Sequence, residues 1–157
     1  MKVHHEVTAI HPERKIVSVR NMKTGEVFVE CYDKLLLSPG AQPTQPKLPG
    51  IGMEKLFTLR TVEDTFRIKE YIDKHHPKSA LLAGGGFIGL ELAENLRALG
   101  MDVTIVQRPK QLMNPFDADM ASFIHNEVRK AGIHLSLGQT VEGFQERNGG
   151  VDVLLRD

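Results

Sequence analysis

Gly84, Gly86 and Gly89 have the spacing of a phosphate-binding turn, Gly-x-Gly-x-x-Gly. A short apolar run at residues 80–83 precedes them, and a helical pattern follows. In that setting the first glycine permits a tight turn, the second lets the backbone approach a phosphate, and the third lets helix and strand pack closely. Free N–H groups at the helix start then face the anion. The sequence predicts a pyrophosphate site here; the simpler alternative is a glycine-rich turn that binds nothing.

Residues just beyond the next strand should select between nucleotides. An acidic residue roughly 20 positions after the glycines normally binds a ribose and repels a 2′-phosphate. Gln107 occupies that position, followed by Arg108 and Lys110. A neutral glutamine removes the repulsion, and an arginine–phosphate contact is a strong one. Two interpretations remain open: Arg108 binds a 2′-phosphate, or it is a solvated loop residue while Gln107 binds an unphosphorylated ribose.

The elements around the turn follow the pattern of a β-α-β unit. The helix after the turn is predicted to end at Gly100 and is followed by a buried strand at residues 103–106. Four apolar residues should share the inward face of this helix: Ile88, Leu92, Leu96 and Leu99.

The rest of the chain supplies a second set of elements. Further helices are predicted from Thr61 to about Lys74, with Val62, Phe66, Ile68 and Ile72 partly inward, and after a capping Asp117. A parallel strand at residues 133–137 and a hairpin turning at Asn148-Gly149 follow. At the start, residues 3–10, 15–21 and 26–37 alternate apolar and polar residues, which predicts a three-stranded antiparallel meander. Residues 39–52, rich in proline and glycine, form a linker.

Composition limits the classes of function. Twenty basic and twenty acidic residues balance, which argues against a nucleic-acid or membrane partner. No signal peptide or transmembrane run is present. The single cysteine, Cys31, is predicted to be a buried structural thiol, and this cysteine usage is typical of a cytoplasmic protein. The histidine pairs His4-His5 and His75-His76 lack ligand spacing, so we predict no metal site.

Residues 84–96 resemble the nicotinamide-nucleotide motif of the pyridine nucleotide–disulfide oxidoreductases, in particular the coenzyme A-disulfide reductase, NADH oxidase and NADH peroxidase branch. Three other segments are similar to parts of these enzymes. Residues 35–43 with 48–50 resemble the strand and turn closing their FAD domain, and residues 59–64 resemble the helix entering their NAD domain. Residues 115–120 resemble the linker and helix beyond the second nucleotide-domain strand.

The resemblance implies an α/β, Rossmann-like FAD/NAD(P)-binding fold with a parallel sheet, preceded by the meander. It implies that NAD(P)H passes a hydride to FAD, and that Glu91 lies beside the nicotinamide with Ile88 nearby; a carboxylate that merely stabilises the helix start is the alternative. Family members that use NADPH carry arginines at the positions of Arg108 and Asn114, so only half of that phosphate pocket is present. The expected cofactor-binding residues are Gly84, Gly85, Gly86, Phe87, Ile88, Gly89, Glu91, Gln107, Arg108, Ser38, Pro39 and Gly40.

These enzymes are much longer than 157 residues, so we expect a central piece of one. Residues 1–52 would be the FAD-domain meander and linker, and residues 53–157 a truncated NAD(P)-binding domain. The partners would be the nicotinamide dinucleotide and the FAD domain, with the parent a homodimer. No redox-active cysteine motif is present, so no catalytic residue is predicted and the piece alone should be inactive. A stand-alone, non-catalytic dinucleotide-binding module or a ferredoxin- or rubredoxin-reductase-type flavoprotein remain alternatives.

Overall fold

The computed structural model describes residues 1–156. Their contacts form two compact units, residues 1–41 and residues 42–156. The linker after Ala41 therefore packs with the second unit. The boundary between residues 52 and 53 concerns domain ancestry and stays a prediction.

The first unit is an antiparallel sheet of three strands: β1 (His5–His11), β2 (Ile16–Asn21) and β3 (Val27–Cys31), with a 3-10 turn between the first two. The central strand β2 pairs with both neighbours and contributes the buried residues of the unit. The predicted meander is confirmed.

Two expectations for the end of β3 are wrong. The strand stops at Cys31 rather than continuing to residue 37, and Leu36 is 88% exposed. A strand needs a hydrogen-bonding neighbour, and within residues 1–156 no strand pairs with this segment. Cys31 is exposed rather than buried, because it shares the uncovered face of β3 with Val27 and Val29.

The second unit alternates strands and helices before a terminal hairpin. Its elements are α1 (Val62–His75), β4 (Ser79–Ala83), α2 (Phe87–Ala98), β5 (Asp102–Gln107), α3 (Ala118–Lys130), β6 (His134–Leu137), β7 (Thr140–Arg147) and β8 (Gly150–Arg156). Strands β4, β5 and β6 form a parallel sheet in that order, and β7 pairs antiparallel with β8. This is the predicted α/β arrangement. No helix in the described part of the chain is long and apolar enough to cross a membrane.

The helix ends show why these segments fold as they do. Thr61 and Asp64 form a reciprocal capping box at the start of α1. Gly100, with φ of 84°, ends α2 and donates to the Arg97 carbonyl. Asp117 stands at the N-cap of α3, but its side chain makes no capping hydrogen bond.

The core of this unit lies between α2 and the parallel sheet. Val103 and Ile105 of β5 are completely buried, as is Ala93 of α2. The inward face of α2 runs through Gly89, Ala93 and Leu96, so the predicted face was wrong at its ends: Ile88 and Leu99 are exposed. Small residues at the contact let the helix approach the sheet closely, which rotates the larger side chains outward. On α1, Val62 and Phe66 are likewise exposed rather than partly inward.

The terminal hairpin is held against the linker within this unit. Phe144 N donates to the Pro49 carbonyl at 2.9 Å. Lys55 Nζ reaches Glu146 Oε1 at 2.6 Å and the Gly149 carbonyl at 2.8 Å. The hydrogen bond between the two side chains raises the pKa of Lys55 and lowers that of Glu146.

Candidate nucleotide-binding site

The turn between β4 and α2 has the backbone that its three glycines require. Gly84 adopts φ of 127°, which a residue with a Cβ rarely does, and its N–H donates to the Val106 carbonyl at 2.9 Å. A Cβ on Gly84 or on Gly86 would meet nothing within 4 Å. A Cβ on Gly89 would clash with the Gly84 carbonyl. The first two glycines therefore leave open space at the turn, and the third provides close packing.

Helix α2 presents unsatisfied donors to that open space. It begins at Phe87 with Gly86 as N-cap, and its first helical bond runs from Leu90 N to the Gly86 carbonyl at 3.0 Å. The N–H groups of the first turn, including those of Phe87 and Ile88, therefore lack intrahelical acceptors. Together with the helix dipole they form a seat for an anion such as a pyrophosphate.

Gly85, which lies between the first two glycines of the motif, forms hydrogen bonds within the protein instead of facing open space. Its N–H donates to Gln107 Oε1 at 3.0 Å, and its carbonyl accepts from Met113 N at 2.8 Å. A Cβ here would clash with the Leu112 side chain. The end of β5 and the following loop are thus joined directly to the glycine turn. Sequence reasoning missed this contact, although the apolar pair Leu112-Met113 within a polar loop was its signal.

Two buried residues anchor the loop between β5 and α3. Leu112 is completely buried and Met113 is 2% exposed, with a left-handed φ of 49° at Met113. Leu112 N donates to Nε2 of His125, on α3, at 2.9 Å. Burial, and secondarily the charge of Arg129, lowers the pKa of His125 below its usual value.

Arg108 and Lys110 remain available for a ligand at the start of this loop. Both are exposed, and among residues 1–156 neither forms a salt bridge with a carboxylate. The amide side chain of Gln107 carries no charge. The end of β5 therefore offers cations without an opposing anion.

The remaining predicted residues on α2 are also on the surface. Phe87 and Ile88 are 64% and 53% exposed, and the Phe87 ring meets Phe116 edge to face with centroids 6.3 Å apart. Glu91 is exposed one turn into the helix, where its backbone carbonyl accepts from the Asn95 side chain at 2.7 Å. The structure thus brings Gly84–Gly86, Phe87–Gly89, Glu91, Gln107 and Arg108 into one region of the second unit.

Ser38, Pro39 and Gly40 lie in the first unit, in an exposed segment without regular structure where Gly40 has φ of 77°. Their role in FAD binding stays a prediction. In the described part of the chain, no three His, Cys, Asp or Glu side chains come together as a metal site would need.

Comparison with known proteins places this geometry among flavoproteins. The family model "Pyridine nucleotide-disulphide oxidoreductase" matches residues 1–157. The coenzyme A disulfide reductase of Staphylococcus haemolyticus is 40% identical over 146 residues, which are 93% of this chain and 32% of that protein. The chain thus spans about a third of the length of the curated relatives it matches.

Solved structures of related proteins point to the same family. Reduced Bacillus anthracis CoADR-RHD is 44% identical with a TM-score of 0.81, over 97% of this chain and 27% of that one. The water-forming NADH oxidase of Lactobacillus brevis bound to NADH is 34% identical, with a TM-score of 0.79, over 96% of this chain and 33% of that one. Its engineered variant bound to NADPH is 33% identical, with a TM-score of 0.78 and the same coverage. The resemblance carried by the glycine turn is confirmed: the chain belongs to the pyridine nucleotide-disulphide oxidoreductase family.

Proposed function

We propose that this chain binds NAD(P)H at the turn formed by residues 84–89 and, within an FAD-dependent oxidoreductase, holds the nicotinamide where it delivers a hydride to FAD. The observation that carries the proposal is the open space beside Gly84 and Gly86, under the free N–H groups of α2. Only a ligand that approaches the backbone closely uses such a space, and a pyrophosphate matches its donors. The cofactors supply the redox chemistry, and this chain supplies binding and orientation.

The residues divide between the two ends of the dinucleotide. The turn and the first N–H groups of α2 bind the pyrophosphate, while Gln107 and Arg108 face the adenosine ribose. Glu91 and Ile88, both exposed, serve the nicotinamide end. Ser38, Pro39 and Gly40 contribute to the FAD site.

The relatives narrow the class of reaction. At 40% identity to a coenzyme A disulfide reductase and 34% to an NADH oxidase, the chain fits an enzyme of that branch. NADH or NADPH would reduce FAD, which would then reduce a disulfide or oxygen. Ferredoxin- or rubredoxin-reductase-type chemistry is the second choice, because the putidaredoxin reductase in a solved complex is only 26% identical to this chain.

The end of β5 favours NADPH as the hydride donor. The NADPH-bound oxidase variant carries an aspartate-to-alanine exchange followed directly by an alanine-to-arginine exchange. Gln107 and Arg108 present the same combination, a neutral residue and then an arginine. Loss of the carboxylate removes repulsion of the 2′-phosphate, and the guanidinium adds a charge-assisted hydrogen bond.

Isothermal titration of the 157-residue chain with NADPH and NADH tests the proposal. We expect weak but saturable binding of both, tighter for NADPH. A Gly86→Val variant is the matched control, because its side chain fills the open space that the pyrophosphate needs. Absence of binding by the wild-type chain, or equal binding by the variant, would contradict the site.

A further inference from the structure

The loop between β5 and α3 depends on a hydrogen bond to a titratable side chain. Leu112 is completely buried, and its N–H donates to His125 Nε2 at 2.9 Å. The next residue, Met113, donates its N–H to the Gly85 carbonyl at 2.8 Å. One short segment therefore joins α3 to the glycine turn, and it also carries Arg108 and Lys110.

This bond exists only while His125 is neutral. A backbone N–H can only donate, so Nε2 must offer a lone pair, and the ring proton lies on Nδ1. A protonated imidazole has two donors and no acceptor, which would leave the buried Leu112 N–H without a partner. The loss is costly because Leu112 is completely buried, so water does not readily replace the ring nitrogen as acceptor.

Burial and one neighbouring charge favour the neutral form of His125. Burial is the larger cause of the lowered pKa of His125, and the Arg129 cation, one turn farther along α3, is the other. The loop that packs against the ring carries Arg108, Lys110 and Asp117, all exposed. Of these four charges, that of Arg129 is the one that lowers the pKa of His125.

We propose that His125 is a positioning residue for the nucleotide site, which through Leu112 holds the loop bearing Arg108 against the glycine turn. This inference rests on the proposed function. When the hydrogen bond from Leu112 to His125 is lost, some molecules adopt loop arrangements that do not bind nucleotide. The apparent Kd then rises in inverse proportion to the fraction of molecules that can still bind. Nucleotide affinity should therefore fall as the pH falls through the lowered pKa of His125, below about 6.5.

A simple charge effect predicts the opposite sign. A protonated His125 adds a cation near a phosphate site, and attraction alone would tighten binding of an anionic ligand at low pH. Attraction of that kind is also weakened by salt. The direction of the pH dependence therefore separates positioning from electrostatics.

The test is titration of the wild-type chain, His125→Leu and His125→Gln with NAD⁺ in steps from pH 7.5 to pH 4.5. NAD⁺ is the probe because the 2′-phosphate of NADP⁺ itself titrates, with a pKa of about 6. We expect wild-type affinity to fall about five-fold once His125 is protonated, the scale of one hydrogen bond. His125→Leu should be weak throughout this range, and His125→Gln, whose amide oxygen is an acceptor, should regain affinity and lose the pH dependence. His134→Gln, a change of an exposed histidine on β6, is the control and should behave as wild type.

Hydrogen exchange in the nucleotide-free chain gives a separate readout. The protection of the Leu112 amide should drop over the same pH range in the wild type but not in His125→Gln. Unchanged affinity in His125→Leu, a preserved pH dependence there, or constant Leu112 protection would overturn the role of His125. A wild-type chain that shows the exchange effect but binds no NAD⁺ would instead contradict the proposed function.

Discussion

At the scale of single residues, Gln107 stands where dinucleotide-binding folds usually carry an acidic side chain. Its Oε1 accepts from Gly85 N and so joins the end of β5 to the glycine turn, and in the proposed function its lack of charge avoids repelling a 2′-phosphate. Arg108, exposed and without a carboxylate partner in the described residues, is free to contact that phosphate. We therefore propose that Gln107 and Arg108 together set the choice between NADPH and NADH.

Arg108→Ala should weaken NADPH binding by about 1.5–3 kcal/mol, the scale of a hydrogen bond to a charged group. NADH affinity should hardly change, because NADH has no 2′-phosphate. Titration of a full-length enzyme containing this chain is the measurement, with Arg67→Ala on α1 as a control for the lost charge. Equal effects on both cofactors, or none, would show that Arg108 is only a surface residue.

Gln107→Glu should have the converse effect. The carboxylate can still accept from Gly85 N, so the turn should persist, but its charge would repel a 2′-phosphate. We expect NADPH to bind more weakly and NADH equally well or better. Gln107→Leu separates the two effects, because it removes the hydrogen bond without adding a charge and should weaken both cofactors.

At the scale of elements, the linker and the hairpin β7–β8 form one joint. Gly50 adopts φ of 77°, and a Cβ there would clash with the Phe144 carbonyl. Gly149 has a similar φ of 79° in the hairpin turn, where nothing lies within 4 Å. The two glycines thus share a backbone conformation and differ in their surroundings.

Gly149→Ala should lower the free energy of unfolding by about 1 kcal/mol, the cost of a left-handed alanine. Gly50→Ala should cost about 2–4 kcal/mol, because backbone atoms must also move apart. Urea denaturation of both variants gives the comparison. If the two alanines prove equally destabilising, the linker does not pack on Phe144 as described.

Elements were predictable from sequence where local chemistry decides them. The capping box at Thr61, the terminating Gly100 and the turn at Asn148-Gly149 all lie where their patterns predict, since each depends on neighbouring residues alone. Expectations failed where a distant partner decides. Residues 35–37 are not a strand because no strand of the described chain pairs with them, and the contact between Gln107 and Gly85 spans 22 positions.

The candidate site was predictable in part. Gly84, Gly86 and Gly89 were assigned their separate tasks from spacing alone, and the structure gives each the surroundings that its task needs. The anchoring of the loop by Leu112 and His125 was not foreseen, because a hydrogen bond between a backbone N–H and a ring nitrogen leaves no spacing rule in the sequence.

At the scale of the whole molecule, the 157 residues contain one glycine motif for binding a dinucleotide. The sequence contains a single Gly-x-Gly-x-x-Gly, and it follows β4. The resemblance assigns FAD a second fingerprint of its own, which these residues do not include. Binding of NAD(P)H and binding of FAD should therefore be separable in this chain.

The purified chain should be colourless and should show no NAD(P)H turnover above the free-flavin background when FAD is added. Without bound flavin the hydride has no acceptor at the site. Absorbance at purification and a dye-reduction assay are the measurements. Stoichiometric yellow protein or clear turnover would contradict this expectation.

The joint between the linker and the hairpin, which includes the contact of Lys55 with Glu146, has a consequence for the order in which the elements fold. The two residues are 91 positions apart, whereas β4, α2 and β5 follow one another directly along the chain. Closing so long a loop costs conformational entropy before any contact compensates for it. The parallel sheet with its helices should therefore assemble first and the hairpin should dock onto the linker last, so that the Phe144 amide gains protection in a later kinetic phase than the amides of β5.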